Sequence, residues 1–417
     1  SSNAASTYGG SVTFTVTVAT ANGTTASGSV SVLDGAASIG TCALASGSCS
    51  VTTSTLGAGG HPMSARYAGD ANHASSTSAQ IDQTVAQAAT TTSVASSSLS
   101  SAFGASVTFT VTVSPAAAGG SATVYDGANA LGTCTLVSGV CSISSAALTA
   151  GSHAIGARYA GTANYATSAA AAIAQTVAQA TTTTTLVSSS PSATFGVPVT
   201  YTVTVAAANG TTPTGTATLL DGTAGVGTCT LASGRCDVTT GALISGTHAL
   251  SARYAGDANH LGSTSATLTQ AIVSPTTTVV TSSGASTYGG AVTLTVTVAA
   301  ADATVPTGTV SLSDGTAGIG TCTLSGGTCT LTSSALAAGT HAITARFPAS
   351  ARYAASVSGS LSQAVAPAST TTTVVSSNAA STYGGSVTFT VTVATANGTT
   401  ASGSVSVLDG AASIGTC

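Results

Sequence analysis

Five Asp-Gly pairs punctuate the chain, beginning at Asp34, Asp126, Asp221, Asp314 and Asp409, and a cysteine follows each Asp by eight residues: Cys42, Cys134, Cys229, Cys322 and Cys417. The intervals between these cysteines are 92, 95, 93 and 95 residues. The first four carry further landmarks in phase: a second cysteine seven residues on (Cys49, Cys141, Cys236, Cys329), a histidine nineteen residues on (His61, His153, His248, His341), and an arginine five beyond that (Arg66, Arg158, Arg253, Arg346). Self-similarity at a fixed period means one small structural unit used again and again, so the fold of one repeat sets the fold of all. A second period lies over the first: residues 1–42 and 376–417 are identical at an offset of 375, whereas neighbouring repeats match only in part.

The landmarks divide the 417 residues into 1–87, 88–179, 180–274, 275–367 and 368–417. The first is expected to lack its first strand, and the last to stop at Cys417 before that cysteine's partner. The offset identity predicts a longer periodic protein in which four distinct repeats form one 375-residue unit.

Within a repeat the apolar residues alternate. In the stretch from Ser106 to Val113, Val107, Phe109, Val111 and Val113 point one way and Thr108, Thr110 and Thr112 the other, the pattern of a half-buried strand. It recurs at Val12 to Val18, Val199 to Val205 and Val292 to Val298. A strand burying Ala122 and Val124 runs into the Asp-Gly turn, a hairpin carries the two cysteines, and His153, Ile155, Ala157 and Tyr159 share one face of the strand that follows. Nothing reads as a helix. Short strands with frequent turns over about 93 residues predict an all-β chain of tandem Ig-like β-sandwich domains. Junctions with almost no linker, as from Thr176 to Ala178 into Thr181 to Thr185, favour a rod or filament.

The residues that carry a resemblance are Tyr8 to Val18, Thr309 to Gly315 and Gly246 to Asn259. Together they resemble the bacterial Ig-like tandem repeats of the group 3 type. That resemblance implies the architecture and a place in a large secreted or surface protein, such as an adhesin stalk. It implies no ligand and gives no role to the cysteines.

Composition excludes several classes of function. Charged residues make up 4% of the chain, with ten Asp, six Arg, no Lys and no Glu. There is no basic patch to neutralise nucleic-acid phosphates and no attraction to anionic membranes. No apolar run is long enough for a transmembrane helix. Without Lys, covalent reinforcement is left to disulfides. No nucleophile elbow, Walker loop or catalytic carboxylate pair is present, so no enzyme activity and no cofactor are expected.

The Cys-x6-Cys pairs (Cys42 with Cys49, Cys134 with Cys141, Cys229 with Cys236, Cys322 with Cys329) read as disulfides across a short hairpin. Such a bond would join adjacent strands of one sheet without tying the two sheets together. Bridges between neighbouring chains, and zinc, are the alternatives, the spacing being poor for a structural zinc site. Cys417 has no partner in the sequence. The recurrent histidines read as part-buried residues near one end of each sandwich. Calcium needs several carboxylates, and beyond the turn Asp only Asp70 and Asp257 add one, with Thr162 and Ser350 in the matching places. Asn22, Asn209 and Asn397, each before Gly-Thr, read as turns.

By parity Arg66, Arg158, Arg253 and Arg346 face outward. They read either as partners of the turn Asp across the strands or as contacts between domains or chains. The leading functional reading is a structural extracellular or cell-surface fibre whose partners are further copies of the chain, end to end or side by side. The alternative is an adhesin that binds a glycan or host surface through loop aromatics, for which Tyr125, Tyr165 and Tyr353 are the candidates.

Overall fold

A computed structural model describes residues 1–417 and is all-β. The first repeat contains β1 (Ala5–Thr7), β2 (Val12–Thr17), β3 (Ser29–Asp34), β4 (Ala37–Ala43), β5 (Ser48–Thr53), β6 (Gly59–Tyr67), β7 (Ser76–Thr77) and β8 (Ile81–Ala86). The second contains β9 (Thr91–Ser96), β10 (Ser100–Ala102), β11 (Val107–Ser114), β12 (Ser121–Asp126), β13 (Asn129–Thr135), β14 (Val140–Ser145), β15 (Gly151–Tyr159), β16 (Ser168–Ala169) and β17 (Ile173–Ala178). One sheet of the second repeat has the order β14-β11-β9; the other has β10-β17-β15-β12-β13, with β16 on β15. The repeats carrying Val199–Ala207 and Val292–Ala300 use the same two sheets. In the first repeat the smaller sheet is β2-β5 alone. Residues 1–183, 206–213 and 256–262 form one compact unit and the rest a second.

Alternation builds each core. Phe109, Val111 and Val113 from one sheet meet Val124, Ile155, Ala157 and Tyr159 from the other, all buried. The opposite face of β11 is lined with hydroxyls: Thr108 bonds Ser144 across the ladder (2.7 Å), as Thr13 bonds Thr52 (2.9 Å) and Thr200 bonds Thr239 (2.9 Å). Tyr159 buries its ring and donates its hydroxyl to Gly119 O (2.8 Å), and Tyr67 does the same to Ser27 O (2.6 Å). In the larger sheet β10 and β17, first and last in chain order, are neighbours and run parallel, with Ser100, Ser101 and Ala102 opposite Thr176, Val177 and Ala178. That parallel pair recurs between β1 and β8, between Ser192–Thr194 and Leu268–Val273, and between Ser286–Thr287 and Leu361–Ala366.

All four Cys-x6-Cys pairs are disulfides, with Cα atoms 5.7–5.8 Å apart. Their topology corrects the expectation of a bond within one sheet. Cys42 lies on β4, the edge of the larger sheet, and Cys49 on β5, in the smaller one. A two-residue turn does join them, with Ser46 and Gly47 at positive φ and Ala45 paired to Ser48. The ladder ends after that single bridge. The two strands then part into separate layers, and the bond staples the layers along one edge of the sandwich.

Candidate functional site at the repeat junctions

The turn Asp and the phased His meet. Asp34 ends β3 and His61 lies on β6; Asp34 Oδ2 is 2.7 Å from His61 Nδ1, and His61 Nε2 is 2.7 Å from Gly57 O. The geometry recurs as Asp126–His153–Thr149 O, Asp221–His248–Ile244 O and Asp314–His341–Ala337 O. A carbonyl oxygen only accepts, so Nε2 donates to it. Nδ1 faces the carboxylate. In His61 and His153 burial opposes protonation of the ring. The bond to the loop carbonyl, the bond to the Asp and the carboxylate's charge outweigh it, and both pKa values rise above the ordinary one. His341 is raised too, by Ala337 O first and then by Asp314. Each of these part-buried histidines engages both ring nitrogens within its own repeat and pins the loop that precedes its own strand.

The pinned loop is where the next repeat docks. Ala58 follows Gly57, and its N–H donates to Asn164 Oδ1 of the second repeat (2.8 Å). Around this contact Gln87 Nε2 donates to Thr162 O (2.8 Å), Ala88 N donates to Asn164 O (2.9 Å), and Tyr8 and Tyr165 stack edge-to-face with centroids 5.4 Å apart. The following junction repeats the plan: Ala150 N donates to Asn259 Oδ1 (2.9 Å), Gln179 Nε2 to Asp257 O (2.8 Å), and Phe103 packs edge-on to His260 at 5.4 Å. Asn209 Nδ2 adds a bond to Phe103 O.

In the second unit the chemistry changes while the plan holds. Ser245 N donates to Asp302 Oδ2 (2.9 Å) and Arg352 Nε donates to Ser245 Oγ (3.0 Å). Burial would raise the Asp302 pKa, but the bonds from Ser245 and Thr304 hold it well below the usual carboxylate range. Arg352 stands where Asn164 and Asn259 stand in the repeats before it. Further on, Asn397 Nδ2 donates to Tyr288 O.

The other candidates fall elsewhere. Arg66, Arg158, Arg253 and Arg346 are exposed, opposite Ser31, Thr123, Thr218 and Ser311 on the neighbouring strand. The turn carboxylates are taken by histidine two or more positions away, so the cross-strand Arg–Asp reading is corrected to Asp–His. Arg158 instead lies over the Tyr125 ring at 5.3 Å. Tyr125 is a strand residue, Tyr165 is packed in a junction, and Tyr353 is buried with its hydroxyl bonded to Thr304 and Val305 O. Asp70 binds His73 and the backbone of Ser27 and Asn72, contacts that lower its pKa. Cys417 is free and exposed.

Sequence reasoning missed two polar sets. Gln83, Gln175, Gln270 and Gln363 are buried at one position of each repeat, and Ser96 Oγ donates to Gln175 Oε1 (2.8 Å), as Ser188 Oγ does to Gln270 Oε1 (2.7 Å). These bonds tie the first strand of the small sheet to the last strand of the large one. Their phase was visible as a recurrent Gln two residues before Val or Ile. Asn164 and Asn259 were visible too, as the Asn of a recurrent Ala-Asn pair.

The family profile described as bacterial Ig-like domain (group 3) matches residues 1–86, 93–178, 186–273 and 278–366. No curated protein matches the chain. Among solved structures, fibronectin(III)-like modules of Clostridium thermocellum CbhA share 18% identity over 44% of this chain and 94% of theirs, with a TM-score of 0.22. The human OSCAR ligand-binding domain shares 15% identity over 43% of this chain and 97% of its own, with a TM-score of 0.20. The chain has no helix long and apolar enough to cross a membrane.

Proposed function

The chain belongs to the bacterial Ig-like domain (group 3) family, and on that premise we propose that it is a load-bearing segment of an extracellular fibre or surface stalk. Tandem domains of this kind make structural or adhesin-like repeat proteins and are typically non-catalytic. The disulfides support an oxidising location outside the cell. The observation that carries the reading is the parallel pairing of β10, the first strand of the larger sheet in chain order, with β17, the last strand of the repeat, and its counterparts. The chain enters the pair at the start of one strand and leaves at the end of the other. Tension along the chain therefore slides the strands past each other and loads all their hydrogen bonds together. An antiparallel terminal pair would be peeled one bond at a time. The partners of such a segment are further copies of the same chain. The loop-binding alternative has no observation of its own, because Tyr165 and Tyr353 are engaged within the protein.

Stretching single molecules of the whole chain tests the reading. Each complete repeat is expected to yield in a separate, high-force event. Each event releases roughly 300 Å of chain at ~3.4 Å per residue, less the few residues held between the cysteines. Yielding at low force, or without regular spacing, refutes it.

A further inference from the structure

The Asp–His pair and the seam grip the two ends of one peptide group. Gly57 O receives its bond from His61 Nε2 (2.7 Å), and the N–H of that same peptide, on Ala58, donates to Asn164 Oδ1 of the next repeat (2.8 Å). The second repeat, which has a repeat on either side, does the same. There Thr149 O meets His153 Nε2 (2.8 Å) and Ala150 N–H donates to Asn259 Oδ1 (2.9 Å). In each, an unbroken path runs from the turn carboxylate through the imidazole and one peptide to a side chain of the neighbour. A hydrogen bond accepted by a peptide's carbonyl strengthens the bond its N–H donates, because each polarises the other. Holding the carbonyl also fixes where the N–H points.

A ring with two protons can donate to both of its acceptors, the carboxylate at Nδ1 and the loop carbonyl at Nε2. A ring with one proton serves only one of them. The carboxylate is the stronger acceptor, since charge roughly doubles the strength of such a bond, so the remaining proton stays on Nδ1. Nε2 then turns a lone pair on the loop carbonyl, and the two repel. We propose that His61 and His153 act as proton-operated latches on the seams: loss of the Nε2 proton releases the loop peptide and weakens its bond to the next repeat. The groups around each ring fit the role. On one side of His61 stands Asp34, and on the other β8 places the neutral Gln83 opposite it, while the exposed Asp82 lies opposite Pro62 on the other face. The loop arriving from the next repeat brings no charge, only Tyr165, whose ring packs on Tyr8. His153 has Asp126 on one side and Gln175 on the other, and the loop arriving there carries Asp257 and His260, which face each other at 2.8 Å. Burial works against the second proton, but the bonds to the loop carbonyl and to the Asp raise both pKa values above the ordinary one, so the latch opens on the alkaline side of it. The third seam has a tether that bypasses the ring: Arg352 Nε donates to Ser245 Oγ (3.0 Å) beside the Ser245 N–H bond to Asp302 (2.9 Å).

Linkage supplies the test, because whatever the proton does to the seam the seam must do to the proton by the same factor. Two readouts on the whole chain serve: the His61 and His153 titrations followed by NMR, and amide protection, meaning exchange corrected for its intrinsic rise with pH. From about pH 5.5 to 8.5, protection at Ala58 and Ala150 is expected to fall by about fivefold or more, each following the ring on its own seam, with a smaller fall at Ser245. Asn164 bonds the loop peptide and not the ring. Asn164→Ala is nonetheless expected to lower the His61 midpoint by about half a pH unit or more and to leave that of His153 in place. In the His61→Gln chain, Ala58 protection is expected to lose its pH dependence while Ala150 keeps its own. Ala58 protection that ignores the His61 titration overturns the inference. An unmoved His61 midpoint in Asn164→Ala, a variant that leaves the ring intact, overturns it too. The latch stands on the seam geometry alone, so its failure leaves the fibre reading standing, and low-force yielding sinks the fibre reading without touching the latch.

Discussion

Tyr201 is fully buried, and its hydroxyl has no protein partner within hydrogen-bonding reach. It packs with Val199, Leu219, Val238 and Leu250 in the core of its repeat. The matching positions hold Phe14, Phe109 and Leu294, each buried without a polar atom to satisfy. A buried hydroxyl left unpaired costs about 1–3 kcal/mol. Tyr201→Phe removes that oxygen and leaves a void of roughly 10 Å³, costing about 0.2 kcal/mol at ~24 cal/mol per Å³. The substitution should therefore stabilise the repeat by about 1 kcal/mol or more, raising its midpoint by about 4–8 °C per kcal/mol for a domain of this size. Calorimetry of the whole chain reads the shift, and exchange at the Val203 amide assigns the transition to this repeat. A second signature comes from alkali. Burial, helped by the charge of Asp221, pushes the Tyr201 pKa from 10.0 up to about 12. Because the folded value is raised, this residue's contribution is complete below pH 10 and is lost as pH climbs through the folded value. The Phe variant should lose less stability than the parent over that interval. A lower midpoint for Tyr201→Phe, or identical alkaline loss in both proteins, refutes the reasoning.

Three other outcomes follow from the structure. Replacing both Cys42 and Cys49 by Ser should cost the first repeat about 2.4 kcal/mol, the chain-entropy value for so short a loop, measured as a shift in its denaturant midpoint. Asn164→Ala should free the Ala58 amide, raising its exchange rate by about fivefold for ~1 kcal/mol, while the cores on either side keep theirs. His61, His153 and His341 have pKa values raised on folding. Their stabilisation is full below the ordinary histidine value and is lost as pH rises through the folded ones. Melting should therefore be higher at pH 5.5 than at pH 8.5, and His61→Gln should flatten that dependence in the first repeat.

Much of the fold was legible because period-two alternation fixes which face of a strand is buried. Phe109, Val111 and Val113 needed no further information. The sheet membership of Cys42 and Cys49 was not legible. A two-residue turn at Ser46-Gly47 has the same sequence whether its strands continue as a ladder or part after one bridge. The fate of the turn carboxylates was hidden for a related reason. Parity places Arg66 on the outer face but does not place it along the strand, where it faces Ser31 while Asp34 lies opposite Met63. The junction residues were visible only as letters in phase. Asn164 and Gln87 make their bonds across a boundary that no intra-repeat pattern describes.

The acceptor that receives the loop N–H is the same Asn at two seams, Asn164 and Asn259, and changes to Asp302 accompanied by Arg352 at the third. The faces that meet at that third seam are thus matched to each other and not to those of the first two. A gene that grew by copying one repeat would set faces together that were never fitted, such as Arg352 against a loop that offers Ala150 in place of Ser245. Copying a block of four restores every seam. Residues 1–42 and 376–417 are identical at an offset of four repeats, so a block of four set end to end would bring each seam's fitted faces together again.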